Sequence, residues 1–386
     1  MATITNKKIK VLHLTHTDLR YDSRILKELD AISHLSNLDI CAYGVYLDEK
    51  AAYTNQEFPF TITNSLLLTN KFSFLPKSIR YTLNLLEITF RFFFKAIWYR
   101  PNLIHCHDTM VLPVGYFLKL FIRCKLIYDA HELELNKNGQ SQVLSKSTLF
   151  IEKACWPKID YLITVSGSIL EWYLENIGKI NGSIILNSPI LKKISNEKFE
   201  AKNYLRDKFQ INPEAKIFIY VGYLGKGRSI ELLLNVFKKQ TVTSHIVFIG
   251  YGDLVELINM NSNQFQNIHI HPAVPHEELV NIITSADIGF CLIENISLSD
   301  YFSLPNKLFE YAFSGLTIIG SNFPEINRVI TKFNLGICIS NDENNIVESV
   351  LAYQNKVMVK DFKYITELSW DFQAEKLREI YKTFIN

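Results

Sequence analysis

Two short segments in the second half of the chain combine glycine with basic side chains, a combination that suits phosphate binding. The first is residues 223–228 (YLGKGR), which follow an apolar run and lead into an amphipathic stretch. Glycines let the backbone approach a ligand closely, and the amide groups that begin a helix attract an anion. The segment therefore predicts a diphosphate cradle with Lys226 and Arg228 as its cations. It matches neither the dinucleotide fingerprint nor the Walker pattern, and an ordinary glycine-rich turn with solvated charges is the alternative.

The second segment is residues 303–315 (SLPNKLFEYAFSG), which precede another apolar run. Pro305 suits the first turn of a helix, and Gly315 suits the position just after its end. The short helix between them carries Lys307 and Glu310 three residues apart, on one face. A lysine and a glutamate placed in this way can hold a phosphate and a ribose diol. A simple ion pair between the two side chains is the alternative interpretation.

In the first half of the chain, side chains that could do chemistry stand where two apolar runs end. His105 and His107 alternate along one run and share a face of the predicted strand, and Asp108 follows. The next run ends in residues 128–132 (YDAHE), which place His131 at a comparable position. Two histidines and an aspartate could bind a metal, but the sequence does not show the open geometry that such a site needs. We favour His107 as a site residue because of its strand-end position; a structural histidine and a capped turn are the alternatives.

For these segments to form a site, the fold must bring the ends of several strands close together. The pattern of apolar residues indicates such a fold. Short apolar runs alternate with helix-length amphipathic stretches, which is typical of parallel sheets with crossover helices. Ligands bind at the carboxyl ends of such strands, and this rule adds Gly250, Gly252 and Val274 to the candidates. The predicted strands are residues 10–16, 38–45, 103–107, 126–130, 161–165 and 183–186, followed by 216–222, 245–250, 268–271, 288–293, 317–320 and 336–339.

The length of the chain favours two domains. With 386 residues, of which 48% are hydrophobic, it exceeds what one core usually takes. We expect a first domain over residues 1–190, a second over 191–368, and a C-terminal helix at 369–386 that packs back on the first domain. The predicted hinge is residues 187–193, where Pro189 ends the last strand of the first domain.

Charge and cysteine usage exclude several classes of protein. The net charge of +2, without a long run of lysine or arginine, gives no reason to expect a nucleic-acid partner. The six cysteines stand singly, as in reduced cytoplasmic proteins. The apolar run at residues 9–14 is short and interrupted by charge, unlike a signal peptide, and no uncharged run reaches the ~18 residues of a membrane-spanning helix.

Residues 60–126 are both basic and aromatic, with Lys and Arg far outnumbering Asp and Glu. Lysine and arginine attract anionic lipid, and aromatic side chains enter the lipid interface. We therefore expect a cytoplasmic protein that docks peripherally on the inner face of the cell membrane. The alternative is that residues 81–99 form a buried helix whose few charges reach solvent.

Taken together, these segments resemble those of retaining glycosyltransferases of family four, which have the GT-B fold. The resemblance runs over nearly the whole chain, from Asp22 and Arg24 through His107 and residues 128–132 to residues 303–315, where it is most specific. It implies two Rossmann-like α/β domains facing a central cleft, with a nucleotide-sugar donor held by the second and an acceptor by the first. It also implies retention of anomeric configuration and independence of metals and other cofactors.

The resemblance further implies roles for individual residues. Glu310 is expected to contact the donor ribose, and His107 to face the transferred sugar. A basic pair after the first strand of the second domain binds the diphosphate in this family. Tyr223 stands where the first basic residue is usual, so Arg228 is expected to carry the charge with help from Lys226 or Lys307.

A second departure concerns the donor sugar, because Phe302 stands eight positions before Glu310 where another glutamate is usual. Asp300 or Glu294 is the expected substitute. The complete predicted site comprises catalytic His107, Arg228 and Lys307; donor-binding Glu310, Lys226, Gly225, Tyr223, Gly250, Gly252, Val274, Asp300, Ser303, Leu304, Pro305 and Asn306; and, on the acceptor side, Asp22, Arg24, His131 and Glu132.

The predicted reaction is transfer of a sugar from a nucleotide diphosphate sugar to an acceptor hydroxyl. The acceptor is expected to be a lipid-linked or polysaccharide glycan in cell-surface glycan biosynthesis. Two alternatives stay open: a nucleotide-sugar epimerase with the same fold, and a non-catalytic, membrane-associated scaffold with this fold, which the departures at Phe302 and Tyr223 would suit.

Overall fold

Every strand pairing in the described part of the chain is parallel, and the strands form two separate sheets. The computed structural model describes residues 8–46, 58–72, 74–190, 203–356 and 365–385. The chain divides into unit 1, which comprises Met1–Asn187 and Asp371–Asn386, and unit 2, which comprises Ser188–Trp370. The expected α/β architecture of two parallel sheets is confirmed.

The strands of unit 1 are β1 (Ile9–Leu14), β2 (Leu38–Val45), β3 (Thr61–Ser65), β4 (Leu103–His107), β5 (Lys125–Ala130), β6 (Tyr161–Thr164) and β7 (Gly182–Ile184). Their order across the sheet is β3-β2-β1-β4-β5-β6-β7. The helices are α1 (Ser23–Ser33), α2 (Lys77–Tyr99), α3 (Leu112–Phe121), α4 (Gln142–Cys155) and α5 (Gly167–Asn176).

The strands of unit 2 are β8 (Ile217–Tyr223), β9 (His245–Tyr251), β10 (Ile268–Pro272), β11 (Ile288–Cys291), β12 (Thr317–Ser321) and β13 (Gly336–Ile339). Their order is β10-β9-β8-β11-β12-β13. The helices are α6 (Tyr204–Phe209), α7 (Ile230–Phe237), α8 (Val255–Ser262), α9 (His276–Ile283), α10 (Leu298–Tyr301), α11 (Asn306–Phe313), α12 (Pro324–Phe333) and α13 (Glu343–Gln354). A last helix, α14 (Trp370–Ile385), begins at the final residue of unit 2 and otherwise belongs to unit 1.

The strand order reverses once in each sheet, and these reversals locate the candidate sites. In unit 1, β1 lies between β2 and β4, and in unit 2, β8 lies between β9 and β11. At such a point, the loops that follow two neighbouring strands run to opposite faces of the sheet. This leaves a crevice at the carboxyl ends of the two strands. The central strands are buried apolar runs, as expected for parallel sheets covered on both faces.

The strands predicted from the apolar pattern are confirmed to within a few residues, and one strand was missed. β3 has the polar sequence TITNS and lies at the edge of its sheet, so it carries no apolar signal. The helix predicted around residues 303–315 begins at Asn306, with Pro305 as its N-cap rather than in its first turn. Residues 191–202, which include part of the predicted hinge at 187–193, lie outside the described residues.

Candidate functional site

In unit 2, the carboxyl ends of β8 and β9 and the residues just after them lie closer together than side chains would allow. Gly222 is paired with Gly250, and a Cβ atom on Gly250 would stand 1.8 Å from the Gly222 carbonyl oxygen. A Cβ atom on Gly252 would stand 2.4 Å from the Leu224 carbonyl oxygen. These two glycines therefore serve the contact between two backbone segments at the carboxyl end of the sheet. Gly225 leaves room for the ring of Tyr223, whose Cε1 atom would be 2.2 Å from an added Cβ.

Replacing Gly250 by alanine is expected to lower the free energy of unfolding by at least ~2 kcal/mol, because a methyl group would meet backbone atoms. Gly250 also has a φ of +150°. Gly139→Ala is the matched control, since Gly139 has a φ of +74° but open space around its added Cβ. Thermal denaturation compares the two variants; equal losses would show that the β8 and β9 loops can separate at little cost.

Lys307, in the first turn of α11, carries a buried ammonium group. Its Nζ atom has no hydrogen-bond partner among the described residues and lies 3.5 Å from the centre of the Tyr220 ring. Burial lowers the pKa of Lys307 to about 7, with a smaller contribution in the same direction from Arg228. No hydrogen-bonded ion pair with Glu310 forms, contrary to the alternative interpretation of the sequence. Because a buried charge is costly without a partner, this environment favours an anionic ligand.

The amino end of α11 adds hydrogen-bond donors beside Lys307. Pro305 is the N-cap and makes no side-chain cap hydrogen bond. The first amide groups of an α-helix have no acceptor within the helix, so those of α11 can serve an anion. Ser303 and Leu304 are half-buried in the segment that leads into this helix, Asn306 is exposed, and Glu310 is buried on α11.

Arg228 is the second candidate cation, and its side chain is 31% exposed. Its Nη1 atom lies 3.4 Å from Oδ1 of Asp300, whose Oδ2 accepts a hydrogen bond from Ser297 Oγ at 2.8 Å. Glu294 is used differently, because its Oε1 accepts from the backbone amide of Ser229 at 3.0 Å, just before α7. A carboxylate therefore already occupies the predicted anion position at the start of α7. Of the two expected substitutes for the missing glutamate, only Asp300 contacts a predicted cation.

The predicted Tyr223 has an exposed aromatic neighbour, Tyr251, which the sequence did not suggest as a site residue. Tyr223 ends β8 and Tyr251 ends β9, and their ring centres are 6.1 Å apart in an edge-to-face arrangement. The Tyr223 hydroxyl donates to Asp253 Oδ2 at 2.7 Å. Exposed aromatic faces at a strand end can pack against a flat or apolar ligand surface. Among the other predicted residues, Lys226 is exposed and Val274 is half-buried after β10.

In unit 1, Asp108 lies between two imidazole rings at the carboxyl end of β4. Its φ of 66° and ψ of 165° are rare outside glycine, and strained conformations of this kind cluster at functional sites. Oδ1 lies 3.7 Å from Nδ1 of His131, and Oδ2 lies 3.8 Å from Nδ1 of His16. Burial opposes a charge on His131, but Asp108 and Asp129 outweigh burial and raise the pKa of His131 to about 9.

The structure places His107 out of reach of solvent. Its relative exposure is 0%, whereas the His131 side chain is 17% exposed. Both ring nitrogens of His107 are engaged: Nδ1 lies 3.1 Å from Nε2 of His131, and Nε2 lies 2.9 Å from Nδ1 of His13. The ring with access to a ligand is therefore His131, and the contact between His107 and a sugar that the resemblance implied does not fit this arrangement.

Two other predicted acceptor-side residues hold the interior of unit 1. Arg24 is buried, donates to both carboxylate oxygens of Asp129 at 3.1 and 3.0 Å, and lies 3.1 Å from Glu28. Asp22 is the N-cap of α1 and accepts a hydrogen bond from the Ile25 amide at 3.1 Å. Glu132 is exposed. Arg24 and Asp22 thus support the site from within.

One group of side chains has the composition of a metal site. Atoms of Glu28, His105, His107 and Asp129 lie within 4.8 Å of one another. The guanidinium group of Arg24 contacts both carboxylates, so it supplies the positive charge that a metal ion would bring. We assign no metal to this group.

Solved structures share this two-sheet architecture along almost the whole chain. Sucrose-phosphate synthase from Thermosynechococcus elongatus superimposes with a TM-score of 0.75 at 14% identity, covering 97% of this chain and 99% of that chain. The Anabaena protein HepE, in complex with UDP-glucose, superimposes with a TM-score of 0.68 at 9% identity, covering 97% of this chain and 100% of that chain. At these identities the likeness shows the fold, which is GT-B.

A family match decides the class of activity. Residues 215–355, which include β8 to β13, match the sequence profile of the family described as Glycosyl transferases group 1. The chain is a GT-B glycosyltransferase. This glycosyltransferase is 24% identical over 314 residues to chitobiosyldiphosphodolichol beta-mannosyltransferase of Kluyveromyces lactis, over 70% of this chain and 69% of the relative. The matched segment of the glycosyltransferase contains Lys307, Arg228 and the glycine contacts between β8 and β9.

Proposed function

We propose that this glycosyltransferase moves a sugar from a nucleotide diphosphate sugar to a hydroxyl group of a glycan or lipid-linked acceptor, in the synthesis of a cell-surface glycan. We infer this class of donor from the buried ammonium group of Lys307, which lies at the amino end of α11. This ammonium group has no hydrogen-bond partner among the described residues. A diphosphate can accept hydrogen bonds from this ammonium group, from the first amides of α11 and from Arg228. Complexes of HepE with UDP and with UDP-glucose support this class of donor.

In the proposed reaction, unit 2 stabilises the charge that develops as the nucleoside diphosphate leaves. Fixed donors aimed at a developing charge are usually the largest catalytic contribution, and Lys307, Arg228 and the α11 amides are such donors. We propose retention of configuration, with attack on the same face assisted by the departing phosphate. Asp300 and Glu294 contact Arg228 and the Ser229 amide, which supports a route that uses neither carboxylate as a nucleophile. The route has no metal-dependent step.

Unit 1 supplies the acceptor side in this proposal, and His131 takes the role that the resemblance had implied for His107. His131 is partly exposed at the carboxyl end of β5, next to the strained Asp108. With a pKa of about 9, His131 carries a positive charge at neutral pH. It therefore acts as a hydrogen-bond donor to substrate and does not act as a general base.

Donor binding is expected to take up protons near neutral pH. The pKa of Lys307 is about 7 because of burial, and a bound diphosphate favours the charged ammonium form. The affinity for a sugar nucleotide should therefore be highest below pH 7 and fall by up to about tenfold per pH unit above it, until the pKa in the complex is reached. Isothermal titration of UDP-, GDP- and ADP-sugars in buffers of different ionisation enthalpy measures this uptake. Binding without proton uptake between pH 7 and pH 9 would show that Lys307 does not meet the diphosphate.

An exposed apolar surface on unit 1 supports a membrane-linked acceptor. Along α2, Leu86, Phe90, Phe94 and Trp98 recur every four residues and are exposed, and Trp98 has 86% of its surface accessible. α3 packs beside α2, with Phe93 against Phe121, and exposes Phe117, Leu120 and Phe121. We call this set the aromatic face. The alternative of a buried helix over residues 81–99 is wrong, because these side chains are accessible.

We propose that the aromatic face docks on an anionic membrane surface, peripherally on its cytoplasmic side. The K. lactis relative is named for a chitobiosyldiphosphodolichol substrate, which supports a lipid-linked acceptor here. No helix among the described residues is both long and apolar enough to cross a membrane. The basic residues of α2 are partly engaged: Arg91 pairs with Glu87 at 2.7 Å, and Lys95 lies 4.4 Å from the Tyr43 ring centre. Aromatic insertion is therefore expected to contribute more than the attraction between charges.

Incubation with labelled UDP-, GDP- and ADP-sugars tests the proposed function against its two alternatives. A glycosyltransferase should transfer the sugar to lipid extract in vesicles, or hydrolyse the donor slowly without it. An epimerase would give an isomerised sugar nucleotide and need no acceptor. A scaffold would bind without turnover. NMR of the product's anomeric proton then decides between retention and inversion.

A further inference from the structure

A chain of hydrogen bonds crosses the interior of unit 1 from His131 to the C-terminal helix. Nε2 of His131 lies 3.1 Å from Nδ1 of His107, whose Nε2 lies 2.9 Å from Nδ1 of His13. Nε2 of His13 lies 2.9 Å from the hydroxyl of Tyr381, and this hydroxyl lies 2.6 Å from Nδ1 of His105. All members except His131 are buried. We call this set the histidine chain.

The inner end of the histidine chain sets its direction. Nε2 of His105 has no hydrogen-bond partner, and it faces two carboxylates, with Asp129 Oδ2 at 3.6 Å and Glu28 Oε2 at 3.9 Å. The contact between a ring nitrogen and a carboxylate oxygen is attractive when the nitrogen carries a hydrogen. It is repulsive when the nitrogen presents a lone pair. A neutral imidazole has one N–H donor and one acceptor. Nδ1 of His107 faces the same two oxygens at 3.6 and 3.9 Å, but it also lies 3.1 Å from Nε2 of His131, which is positively charged and presents a hydrogen. The lone pair therefore stands on His107 Nδ1, while His105 carries its proton on Nε2 and accepts at Nδ1 from the Tyr381 hydroxyl.

This assignment fixes every other link. Because Tyr381 donates to His105, its oxygen accepts from Nε2–H of His13. Nδ1 of His13 then accepts from Nε2–H of His107, which leaves a lone pair on His107 Nδ1 facing His131. Burial lowers the pKa of all three inner histidines, to about 3 for His107, so each ring stays neutral and donates once.

We propose that Tyr381 is a positioning residue for His131. By holding the three inner histidines in one set of tautomers, it presents an acceptor to Nε2–H of His131 beside Asp129 Oδ2, which lies 3.2 Å from the same nitrogen. The histidine chain thus helps Asp129 to fix the orientation of the His131 ring. The proposal rests on the role given to His131 in the proposed function. The other groups that act on the charge of His131 lie outside the histidine chain: the carboxylates of Asp108, Asp129 and Glu28, the guanidinium group of Arg24, and the imidazole of His16.

The test is the variant Tyr381→Phe in the full chain, with ¹⁵N-labelled histidine. Long-range proton–nitrogen NMR spectra report the tautomer and the pKa of each ring. The wild-type protein should show single Nε2–H tautomers for the inner histidines. In Tyr381→Phe, His13 and His107 should populate both tautomers, and the pKa of His131 should fall by about 0.5–1 unit, as expected for one lost hydrogen bond. The alkaline limb of the activity profile should move to lower pH by the same amount, while affinity for the sugar nucleotide stays unchanged.

Tyr173→Phe is the matched control, because its buried hydroxyl donates to Glu152 at 2.7 Å and to no histidine. It should lower the melting temperature as Tyr381→Phe does, without changing the histidine spectra. His13→Gln breaks the histidine chain at another link and should reproduce the shift of His131 if Tyr381→Phe does not fold. Unchanged tautomers and an unchanged pKa of His131 in the folded variants would overturn the proposal. Because NMR needs no substrate, this result is independent of whether the wild-type protein turns over a sugar nucleotide.

Discussion

Replacing Lys307 by methionine is expected to reduce affinity for the preferred sugar nucleotide by at least ~30-fold. A desolvated charge pair in a binding site contributes 2–5 kcal/mol or more when one partner is removed, and 1.4 kcal/mol corresponds to tenfold. In the proposed complex, the Lys307 ammonium has the diphosphate as its only direct counter-ion, because no described side chain forms a hydrogen bond with it. Isothermal titration measures the loss directly.

The same substitution should leave the fold as stable as before, or more stable. The ammonium group of Lys307 is buried over the Tyr220 ring, and a methionine of similar length can fill that space without a charge. Lys226→Met is the matched control, since Lys226 is an exposed lysine of the adjacent loop and should change affinity by less than threefold, roughly the worth of a surface charge. Wild-type affinity in Lys307→Met, or equal losses in the two variants, would contradict the diphosphate site.

Removing three side chains of the aromatic face should reduce binding to vesicles by at least about 1,000-fold. Burial of one aromatic side chain contributes about 1.5–3 kcal/mol, and the low end of this range corresponds to roughly tenfold for each residue of the variant Phe90→Ser, Phe94→Ser, Trp98→Ser. All three residues are exposed along one side of α2, so the substitutions should not disturb the core of unit 1. Co-sedimentation with vesicles of anionic lipid measures the partition.

Varying the salt concentration in the same co-sedimentation experiment distinguishes aromatic insertion from electrostatic attraction to the lipid. Since Arg91 pairs with Glu87 and Lys119 pairs with Asp160, binding of the wild-type protein should persist at high salt, although the Debye length then falls to a few ångströms. The matched variant Arg91→Gln, Lys95→Gln keeps the aromatic face and should retain most of the binding. Sedimentation of the triple serine variant at the wild-type level would reject this face and leave a soluble acceptor as the better hypothesis.

The fold was predictable to the extent that its signals are local. Buried parallel strands read as short apolar runs, and almost all of them could be placed from the sequence. β3 could not, because an edge strand needs no apolar run and its residues are polar. The start of α11 was placed one residue too early, since proline is common both at an N-cap and in the first turn.

The site was predictable in its location and less so in its contacts. Strand-end spacing marks both His107 and His131, but burial of His107 depends on His13, 94 residues away, and on the helix that carries Tyr381. Glu294 is committed to the amide of Ser229, 65 positions earlier. Such pairings between residues distant in sequence follow from the strand order, and a single sequence carries no local sign of them.

The path of α14 has a consequence for the order in which the chain can fold during its synthesis. Leu377, Ile380 and Tyr381 are buried parts of unit 1, yet the ribosome makes them after the whole of unit 2. Domains commonly fold from the amino end as they emerge, but the first 187 residues of this chain lack a helix that completes their core. Unit 2 is contiguous and can finish first. A fragment that stops at Asn187 would therefore leave His13 and His105 without the Tyr381 hydroxyl and would lack the buried side chains of Leu377 and Ile380.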